Sequence, residues 1–464
     1  MDGFQLLPLV RRTELLSFRG GIYVMDKQMS HALSLHIVAA VLIGGVAASA
    51  ATMIGTNPPV EPLTRERIAL LPSKERSAWL EYLERSQRQR QADKDALQAE
   101  LKSAGMEKAT EPPHGFSARS IPLDRDAAWY ASADARHIAD VIVSFQTPAG
   151  GWGKNMDMSK ETRRPGEAFT PGNLSRFLAP GDFDAPLEPE WNYVGTIDND
   201  ATTTQMNFLA KVIAAAGARD RTAYVAAFLR GMDYLFLAQF PNGGWPQVWP
   251  LEGGYHDAIT YNDDAMTQVV ELMGHAADGR DEFSFVPKNV RMHAAASFAR
   301  GIRCILASQI VVNGVATVWP QQDDPLTLKP ESGRNYEPPA QCAGESASLL
   351  LLLMNDLPHP TAAELRAIRS AAAWFKKTAI YGQSYQRGPD GRQLAASPGA
   401  GPIWARYYQI GKDIPIFADR DKSLHDNVNE LSKERRNGYS WYSPESKRAL
   451  DRFDTWSAEH PETK

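Results

Sequence analysis

The sequence predicts a mainly α fold, namely an α/α toroid of the small (α/α)3 barrel-like kind, with long functional loops and an N-terminal helical extension. Apolar residues recur at helical spacing in seven segments, whereas strand-like alternation is scarce. The predicted helices span residues 132–146, 201–216, 220–238, 264–277, 290–308, 343–355 and 361–378. Loops rich in glycine and proline connect them, and long loops in a helical domain usually carry its function.

A weak internal repeat predicts how these helices are arranged. Three helices end in a glutamine, and each is followed by a turn that leads to a tryptophan. The pairs are Gln146 and Trp152, Gln239 and Trp245, and Gln309 and Trp319. Glycines permit the left-handed turn after a helix, and the indole can then pack beneath the next pair of helices. Repeats of this kind predict stacked helical hairpins that close on themselves.

The N-terminal region is predicted to be a signal peptide that is cleaved from the mature protein. An apolar run over residues 33–48 ends in Ala48-Ser49-Ala50, a small-x-small pattern that predicts signal-peptide cleavage before Ala51. Residues 1–50 are therefore predicted to be a signal-peptide region whose true start is Met25 or Met29. The run is short for a membrane span, so an uncleaved anchor is the second choice. A secreted or periplasmic protein without stable membrane association is expected.

Residues 51–125 are predicted to form a linker and the helical extension, ahead of a main domain over residues 126–464. Residues 51–63 contain several prolines and threonines. Residues 64–102 are rich in Arg, Glu and Gln, with Trp79, Tyr82 and Leu83 at helical spacing. This pattern is typical of one or two helices with a solvated face.

Composition bounds the possible functions. The 464 residues are 43% hydrophobic with a net charge of −5, which fits a globular protein and argues against a nucleic-acid partner. The two cysteines, Cys304 and Cys342, have no metal-ligand spacing, and they are as consistent with two separate thiols as with a disulfide.

Two matching acidic stretches precede predicted helices. They are Asp198-Asn199-Asp200 and Asn262-Asp263-Asp264. Each alone could cap its helix by accepting hydrogen bonds from free amides. Together they offer carboxylate and amide oxygens without histidine or thiolate, which favours calcium over zinc. All six residues are candidate ligands on this evidence, and each aspartate could equally be a helix cap.

Arginines on late loops form the second candidate group. Arg334, Arg406 and Arg420 lie beside aromatic residues, in contexts such as Gly333-Arg334-Asn335-Tyr336 and Ala405-Arg406-Tyr407-Tyr408. A single arginine of this kind is more often a surface or ion-paired residue. Opposite a cation site, however, such arginines suit planar carboxylates held by two hydrogen bonds, and an acidic polymer fits that geometry.

At these residues the sequence resembles the tenth polysaccharide lyase family, the helical pectate lyases, over about residues 125–442. The resemblance is carried by TIDNDATTTQMNFLAKV, FPNGGWPQVWPLEGGYHDAITYNDDAM, KPESGRNYEPPAQCAGES, and WARYYQIGKDIPIFADRDK with ERRNGYSWY. It implies an α/α toroid, Ca²⁺ as cofactor, and β-elimination on a polygalacturonate (pectate) polymer. The protein is expected to act as a monomer.

The resemblance also implies roles for individual residues. Asp198 and Asp263 are implied to organise calcium and the substrate carboxylate, which makes Asp198 a catalytic candidate. With this resemblance the candidate metal ligands become Asp198, Asn199, Asn262 and Asp263. Helix capping is then the expected role of Asp200 and Asp264. Arg334 is implied to be the Brønsted base, and Lys329 is a nearby alternative. The implied substrate-binding residues are Arg406, Arg420, Lys154 and Asn155.

Two other functions compete with this interpretation. A terpenoid-type cyclase can share helical-toroid architecture, glycine-tryptophan turns and Asp-rich motifs, but the export signal and the late arginines argue against it. A non-catalytic carbohydrate-binding protein could keep the groove and lack the base, which the combination of Arg334 with both acidic stretches disfavours. Paired-carboxylate glycoside hydrolysis is a third chemistry that a helical toroid can carry.

Overall fold

The computed structural model describes residues 52–172, 181–185, 191–215 and 221–461. Internal contacts divide the chain into residues 1–50 and residues 51–464, and every described residue belongs to the second unit. The predicted signal peptide and its cleavage motif therefore lie outside the described residues. Within the described ranges, no helix combines the length and apolarity needed to span a bilayer.

The described ranges contain twelve α-helices. They are α1 Arg65–Ala69, α2 Ser73–Ala104, α3 Ser117–Ser120, α4 Ala133–Ser144, α5 Thr203–Ala215, α6 Arg221–Ala238, α7 Ala265–Asp278, α8 Lys288–Ser308, α9 Ala343–Asn355, α10 Ala362–Thr378, α11 Lys433–Gly438 and α12 Lys447–Glu459. Each of the seven predicted segments overlaps one of these helices, from α4 to α10. Helix α12 was not predicted.

The prediction of a mainly α fold, the α/α toroid, is wrong. The described residues also hold sixteen short strands, which form seven small antiparallel sheets. Their bounds are β1 Gly55–Thr56, β2 Gly195–Thr196, β3 Val248–Trp249, β4 Ile259–Thr260, β5 Val311–Val312, β6 Val315–Ala316, β7 Gln322–Asp323, β8 Gln341–Cys342, β9 Gln383–Gly388, β10 Gly391–Ala396, β11 Trp404–Ala405, β12 Tyr407–Gln409, β13 Ile414–Pro415, β14 Phe417–Ala418, β15 Ser423–His425 and β16 Tyr442–Ser443. The fold therefore combines helices with short antiparallel strands.

Strand length explains why sequence periodicity missed this sheet content. Fourteen of these strands are two or three residues long, so that they are too short to show alternation between polar and apolar residues. The three-stranded sheets run β1-β15-β14 and β13-β12-β8, and the others are pairs. Sheets β2-β3, β4-β7 and β13-β12-β8 link loops that leave different helices, and they hold the loops that carry the candidate residues.

The glutamine-tryptophan repeat has one structural role in all three copies. The side-chain amides of Gln146, Gln239 and Gln309 each donate to two backbone carbonyls, one in the following turn and one in a later helix, at 2.7 to 3.0 Å. The three following indoles are fully buried, and each donates to a carbonyl in the preceding helix at 2.6 to 2.8 Å. The repeat therefore ties each helix end to the next helical pair.

Replacing Gly243 with alanine is expected to cost about 3 kcal/mol of unfolding free energy. Gly243 has φ +100°, and an added Cβ would overlap the Arg300 carbonyl oxygen. Gly314→Ala is the matched control because Gly314 has φ +80° with open space around it, so that only backbone strain of about 1 kcal/mol applies. Denaturant unfolding of both variants measures the difference, and equal losses would contradict this account of the turn.

Helices α5, α7 and α9 contact one another in sequence, and α6, α8 and α10 pack against them. The two acidic stretches directly precede α5 and α7, so that this packing brings the stretches together. Helix α2 packs on the end of α6, where the Tyr82 hydroxyl donates to the Ala238 carbonyl at 2.8 Å. Residues 52–125 therefore pack within the same compact unit as the later helices.

Replacing Asp93 with asparagine is expected to raise the melting temperature at pH 8. Asp93 is fully buried on α2, and burial raises the pKa of its carboxyl to about 7. The folded protein binds this proton more tightly than the unfolded chain, whose carboxyl has a pKa near 4. The contribution to stability is therefore complete below about pH 4 and is lost as pH rises through about 7. The shift from 3.8 to about 7 corresponds to at most about 4 kcal/mol.

The matched control for this prediction is Asp95→Asn, because Asp95 is exposed on the same helix. Thermal unfolding of both variants between pH 4 and pH 8 should show a flatter profile for Asp93→Asn alone. Parallel profiles for Asp93→Asn and the unsubstituted protein would contradict the assignment.

Candidate active site

The first acidic turn joins β2 to α5 and holds Asp198. Asn199, Asp200 and Thr202 have φ of 52°, 61° and 63°, a left-handed conformation that Asn and Asp tolerate better than most residues. Asp198 itself is buried at 3% exposure. One of its carboxylate oxygens accepts a hydrogen bond from Lys154 Nζ, and this ion pair holds the pKa of Asp198 below its usual value despite burial.

The second acidic turn precedes α7 and is joined to the first through one amide. Asn262 Nδ2 donates to Asp198 Oδ1 at 3.0 Å and to Asp263 Oδ2 at 2.9 Å. The two carboxylates therefore lie on either side of a single nitrogen atom. Asp263 and Asp264 have φ of 49° and 61°, which turns the chain sharply before the helix. The predicted meeting of the two stretches thus occurs through Asp198, Asn262 and Asp263.

Crowding of negative charge is visible at Asp263. Burial and then repulsion from Asp198 raise the pKa of Asp263 to about 6. Arg406 only partly offsets this rise, since its Nη2 lies 3.9 Å from Asp263 Oδ1. Asp263 keeps 43% of its side chain exposed. A carboxylate that is repelled by its neighbour and open to solvent is suited to accept a cation.

Arg406 lies between β11 and β12 and joins the acidic pair to the start of α9. Its Nη2 donates to Asn262 Oδ1 at 3.1 Å and to Glu345 Oε1 at 2.6 Å. Glu345 is buried in the first turn of α9. The guanidinium also lies over the Tyr439 ring, 4.7 Å from its centroid, and its buried Nε has no hydrogen-bond partner. The structure therefore places Arg406 beside Asp263, with hydrogen-bonding capacity to spare.

Arg334 lies on the loop between β7 and β8 and is paired with Glu337. Its Nε and Nη2 each lie 3.0 Å from Glu337 Oε1, and its backbone nitrogen donates to Glu337 Oε2 at 2.7 Å. Tyr439 donates to the same carboxylate at 2.8 Å. Burial alone would lower the pKa of Arg334, but the Glu337 carboxylate raises that pKa well above its usual value. In this arrangement Arg334 is a guanidinium cation.

Arg420 belongs to a second cationic group next to Arg334. Its Nε and Nη2 donate to Glu434 at 2.8 and 3.2 Å, and Arg435 donates to the same carboxylate at 2.9 and 2.7 Å. These hydrogen bonds lower the pKa of Glu434 to about 2, and those from Arg435 have the larger effect. Arg334, Arg420 and Arg435 all lie over the Tyr336 ring, at 5.4, 5.3 and 4.2 Å from its centroid. Sequence reasoning did not single out Tyr336 or Arg435 as part of the site.

The remaining predicted residues fall unevenly around this centre. Asn155 follows Lys154 directly, and its Oδ1 accepts a 3.4 Å hydrogen bond from Asn199. Asn199 is exposed, and none of its described contacts reaches Asp263. Lys329 is also exposed, and no described contact links its side chain to Asp198, Asp263 or Arg334.

The expected capping role of Asp200 and Asp264 is not what the structure shows. Asp264 precedes α7 without a side-chain capping hydrogen bond. The Asp200 carboxylate instead accepts a hydrogen bond from Gln268 on α7. This contact crosses from the first acidic turn to the second helix, and it adds to the connection that Asn262 makes.

A cavity of about 610 Å³ opens beside the acidic pair. Its lining includes Asp263, Glu345, Arg406, Tyr442 and Arg448. This volume accommodates one or two sugar units. Two of the candidate residues, Asp263 and Arg406, therefore border a space that a substrate can enter.

The donor chemistry at the acidic pair fits a hard cation. All candidate ligand atoms are oxygens, and the carboxylates of Asp198 and Asp263 carry the negative charge. Asn262 uses its amide oxygen to accept from Arg406, so its role in this arrangement is to hold the two carboxylates together. Among the described residues, no group of three or more His, Cys, Asp or Glu side chains is placed to hold a metal ion. A cation here would therefore complete its coordination with ligand oxygens and water.

Comparison with known proteins assigns the chain to a class of enzyme. The chain is similar to a family 10 polysaccharide lyase from Cellvibrio cellulosa, with 30% identity and a TM-score of 0.59 over 74% of this chain and 99% of that one. It is equally similar to an aspartate-to-alanine mutant of a family 10 polysaccharide lyase from Cellvibrio cellulosa, in complex with trigalacturonic acid. That match has 28% identity and a TM-score of 0.60, with the same coverage.

A family model described as pectic acid lyase matches residues 146–450. None of the curated proteins matches the chain significantly. The fold is similar to that of family 10 polysaccharide lyases. More narrowly, the chain belongs to the pectic acid lyase family, as the resemblance in the sequence predicted, and it is an enzyme of the pectate lyase class.

Proposed function

We propose that this enzyme cleaves (1,4)-α-D-galacturonan by calcium-assisted β-elimination and releases 4,5-unsaturated oligogalacturonates. The observation that carries the proposal is the pair of carboxylates, Asp198 and Asp263, held on one amide nitrogen of Asn262 and flanked by Arg406. The similarity to a lyase in complex with trigalacturonic acid supports an acidic galacturonan as substrate.

Binding of a galacturonate unit is proposed to use both charged groups of the site. Asp198 and Asp263 would hold the calcium ion, and Arg406, which lines the cavity together with Asp263, would bind a substrate carboxylate. When bound, calcium would neutralise the C6 carboxylate, so that negative charge can spread onto it as the C5 proton leaves. Lys154 keeps Asp198 ionised and in place, and it is proposed to contact substrate together with Asn155.

Arg334 is proposed as the base that removes the C5 proton. The C5–H electron pair then forms the C4–C5 double bond, and the C4–O bond breaks with the electron pair going to oxygen. The departing oxygen takes up a proton from solvent, and the base later returns its proton to solvent. Because a double bond forms between C4 and C5, no water is added across the broken bond. Because Glu337 raises the pKa of Arg334, the neutral base becomes more abundant only as pH rises. An alkaline pH optimum follows from this contact.

Arg420 is proposed to bind a neighbouring carboxylate of the polymer. It shares the Tyr336 ring with Arg334, which places it near the base and away from the Asn262 bridge. A polymer that lies across the site would then meet Arg406 on one side and the Tyr336 group on the other.

Two features of the wider chain remain proposals as well. We infer that residues 1–50 direct export and are cleaved before Ala51, which fits an enzyme that meets an extracellular polymer. Residues 51–125 are proposed to be an extension that precedes the catalytic domain of residues 126–464.

Product analysis tests the proposed reaction against its competitors. Digestion of polygalacturonate followed by mass spectrometry should show one oligosaccharide of each product pair lighter by one water than its hydrolysis equivalent. Products of full hydrolytic mass would assign the carboxylates to glycoside hydrolysis. Binding of the polymer without any cleavage would support the carbohydrate-binding alternative.

A further inference from the structure

We propose that an N-terminal segment, residues 52–61, fastens the loop that carries Arg334, and that Asn57 is the positioning residue of this contact. The inference rests on the proposed role of Arg334 as base. The segment lies outside residues 146–450, which match the family model. We call residues 52–61 the N-terminal strap.

Asn57 forms hydrogen bonds with the backbone of the loop at two successive residues. Its Nδ2 donates to the carbonyl oxygen of Arg334 at 3.1 Å and to that of Asn335 at 3.0 Å. A primary amide has two N–H donors, and both are used here. Asn57 is only 2% exposed, although its neighbours Thr56 and Pro58 are exposed. Burial of one polar residue in an otherwise open segment indicates a specific contact.

The loop reaches back to the strap through Ser332. Its hydroxyl donates to Asn57 Oδ1 at 2.8 Å and lies 2.6 Å from the carbonyl oxygen of Pro58. All three hydrogen-bonding groups of the Asn57 side chain are therefore satisfied by the loop. Ser332 is itself buried at 1% exposure, so that loss of its partner leaves a buried hydroxyl with fewer acceptors.

The strap is anchored at both ends, so that it can hold the loop in place. Strand β1 pairs with β15, and Asn57 N donates to the Lys422 carbonyl at 2.8 Å. Further along, Glu61 N donates to Glu331 Oε1 at 2.8 Å, and Arg67 of α1 forms an ion pair with Asp324. The strap thus runs from the β15 sheet, next to Arg420, to the start of the Arg334 loop.

Positioning of the Arg334 backbone matters because proton transfer depends on the placement of the base. The Arg334 side chain is set by Glu337, and the Asn335 side chain donates to the Arg420 carbonyl at 2.7 Å. Asn57 holds the carbonyls of both residues at once. A shift of about 1 Å in a reacting group can lower a rate about 100-fold. The strap therefore acts on the reaction through Arg334 without contact with the substrate.

Three variants of the full chain test this inference. Asn57→Ala removes the side-chain hydrogen bonds to the loop, and Asn57→Asp keeps the size and the acceptor but removes both donors. Thr56→Ala is the matched control in the same strand. We expect kcat on polygalacturonate to fall by about tenfold to 100-fold in both Asn57 variants, with KM within about twofold of the unsubstituted enzyme. Thr56→Ala should keep both constants.

The outcomes separate positioning from folding and from the proposed function. If Asn57→Ala does not fold, Ser332→Ala takes its place in the comparison. This variant should then lower kcat, whereas Thr56→Ala should not. Unchanged kcat in the folded variants would overturn the inference, and so would a loss of activity equal to the unfolded fraction in thermal melts. Failure of the proposed function would appear differently, as absence of unsaturated product from the unsubstituted enzyme.

Discussion

Replacement of Arg334 with alanine is expected to lower kcat on polygalacturonate by about 1,000-fold or more. Removal of a general base typically lowers a rate by about 100-fold to 10,000-fold. Among the described residues of this loop, no other cationic side chain pairs with Glu337, so that no neighbour takes the place of Arg334. Glu337 would keep its hydrogen bonds from Tyr439 and from the backbone nitrogen of residue 334, which retain part of its stabilisation after the guanidinium is removed. Ultraviolet absorbance of the unsaturated product measures the loss.

The control for this loss is Arg452→Ala, because Arg452 is an arginine whose guanidinium contacts Asn355 on the exposed surface. It should leave the rate unchanged. A near-normal rate in Arg334→Ala would move the base elsewhere, with Lys329 the first to test. In the unsubstituted enzyme, the rate should rise with pH through the alkaline range because the pKa of Arg334 is raised.

Replacement of Asp263 with asparagine is expected to raise the calcium concentration for half-maximal rate by at least about tenfold. The substitution removes one of the two charges that would attract the ion, and asparagine tolerates the φ of 49° at this position. The rate at fixed calcium should fall by about 100-fold as a result. Calcium titrations of the initial rate provide the measurement.

Asp264→Asn is the matched control for Asp263→Asn. Asp264 is the next residue in the same turn and has a similar φ of 61°. A change in backbone preference would therefore affect both variants alike, whereas loss of a ligand affects Asp263→Asn alone. Equal calcium dependence in both variants and in the unsubstituted enzyme would remove Asp263 from the cation site.

The sequence predicted the helices well because long periodic segments carry a strong signal. The seven predicted segments coincide with α4 to α10, and the Gln146, Gln239 and Gln309 turns make equivalent contacts. The fold class was wrong for a physical reason. Strands of two or three residues pair through the backbone, and backbone pairing leaves little trace in side-chain pattern.

The candidate site was partly predictable for a similar reason. The acidic stretches mark two helix starts, and packing of α5 against α7 brings Asp198 and Asp263 together. No sequence pattern could show that Asn262 would bridge them, because its contact with Asp198 depends on the tertiary placement of two loops. The pairing of Arg334 with Glu337 is local, but it depends on the conformation of an irregular loop, which leaves no periodic pattern. Asn57 was missed because it lies 277 residues from Arg334 in a segment that reads as a linker.

The most direct test of this account is the absorbance change when the enzyme acts on polygalacturonate with calcium and, in parallel, with a calcium chelator. Calcium-assisted β-elimination predicts a steady rise in ultraviolet absorbance with calcium, no rise with the chelator, and recovery when calcium is restored. Cleavage of the polymer without a rise in absorbance, or an equal rise in the presence of the chelator, would contradict the central claim.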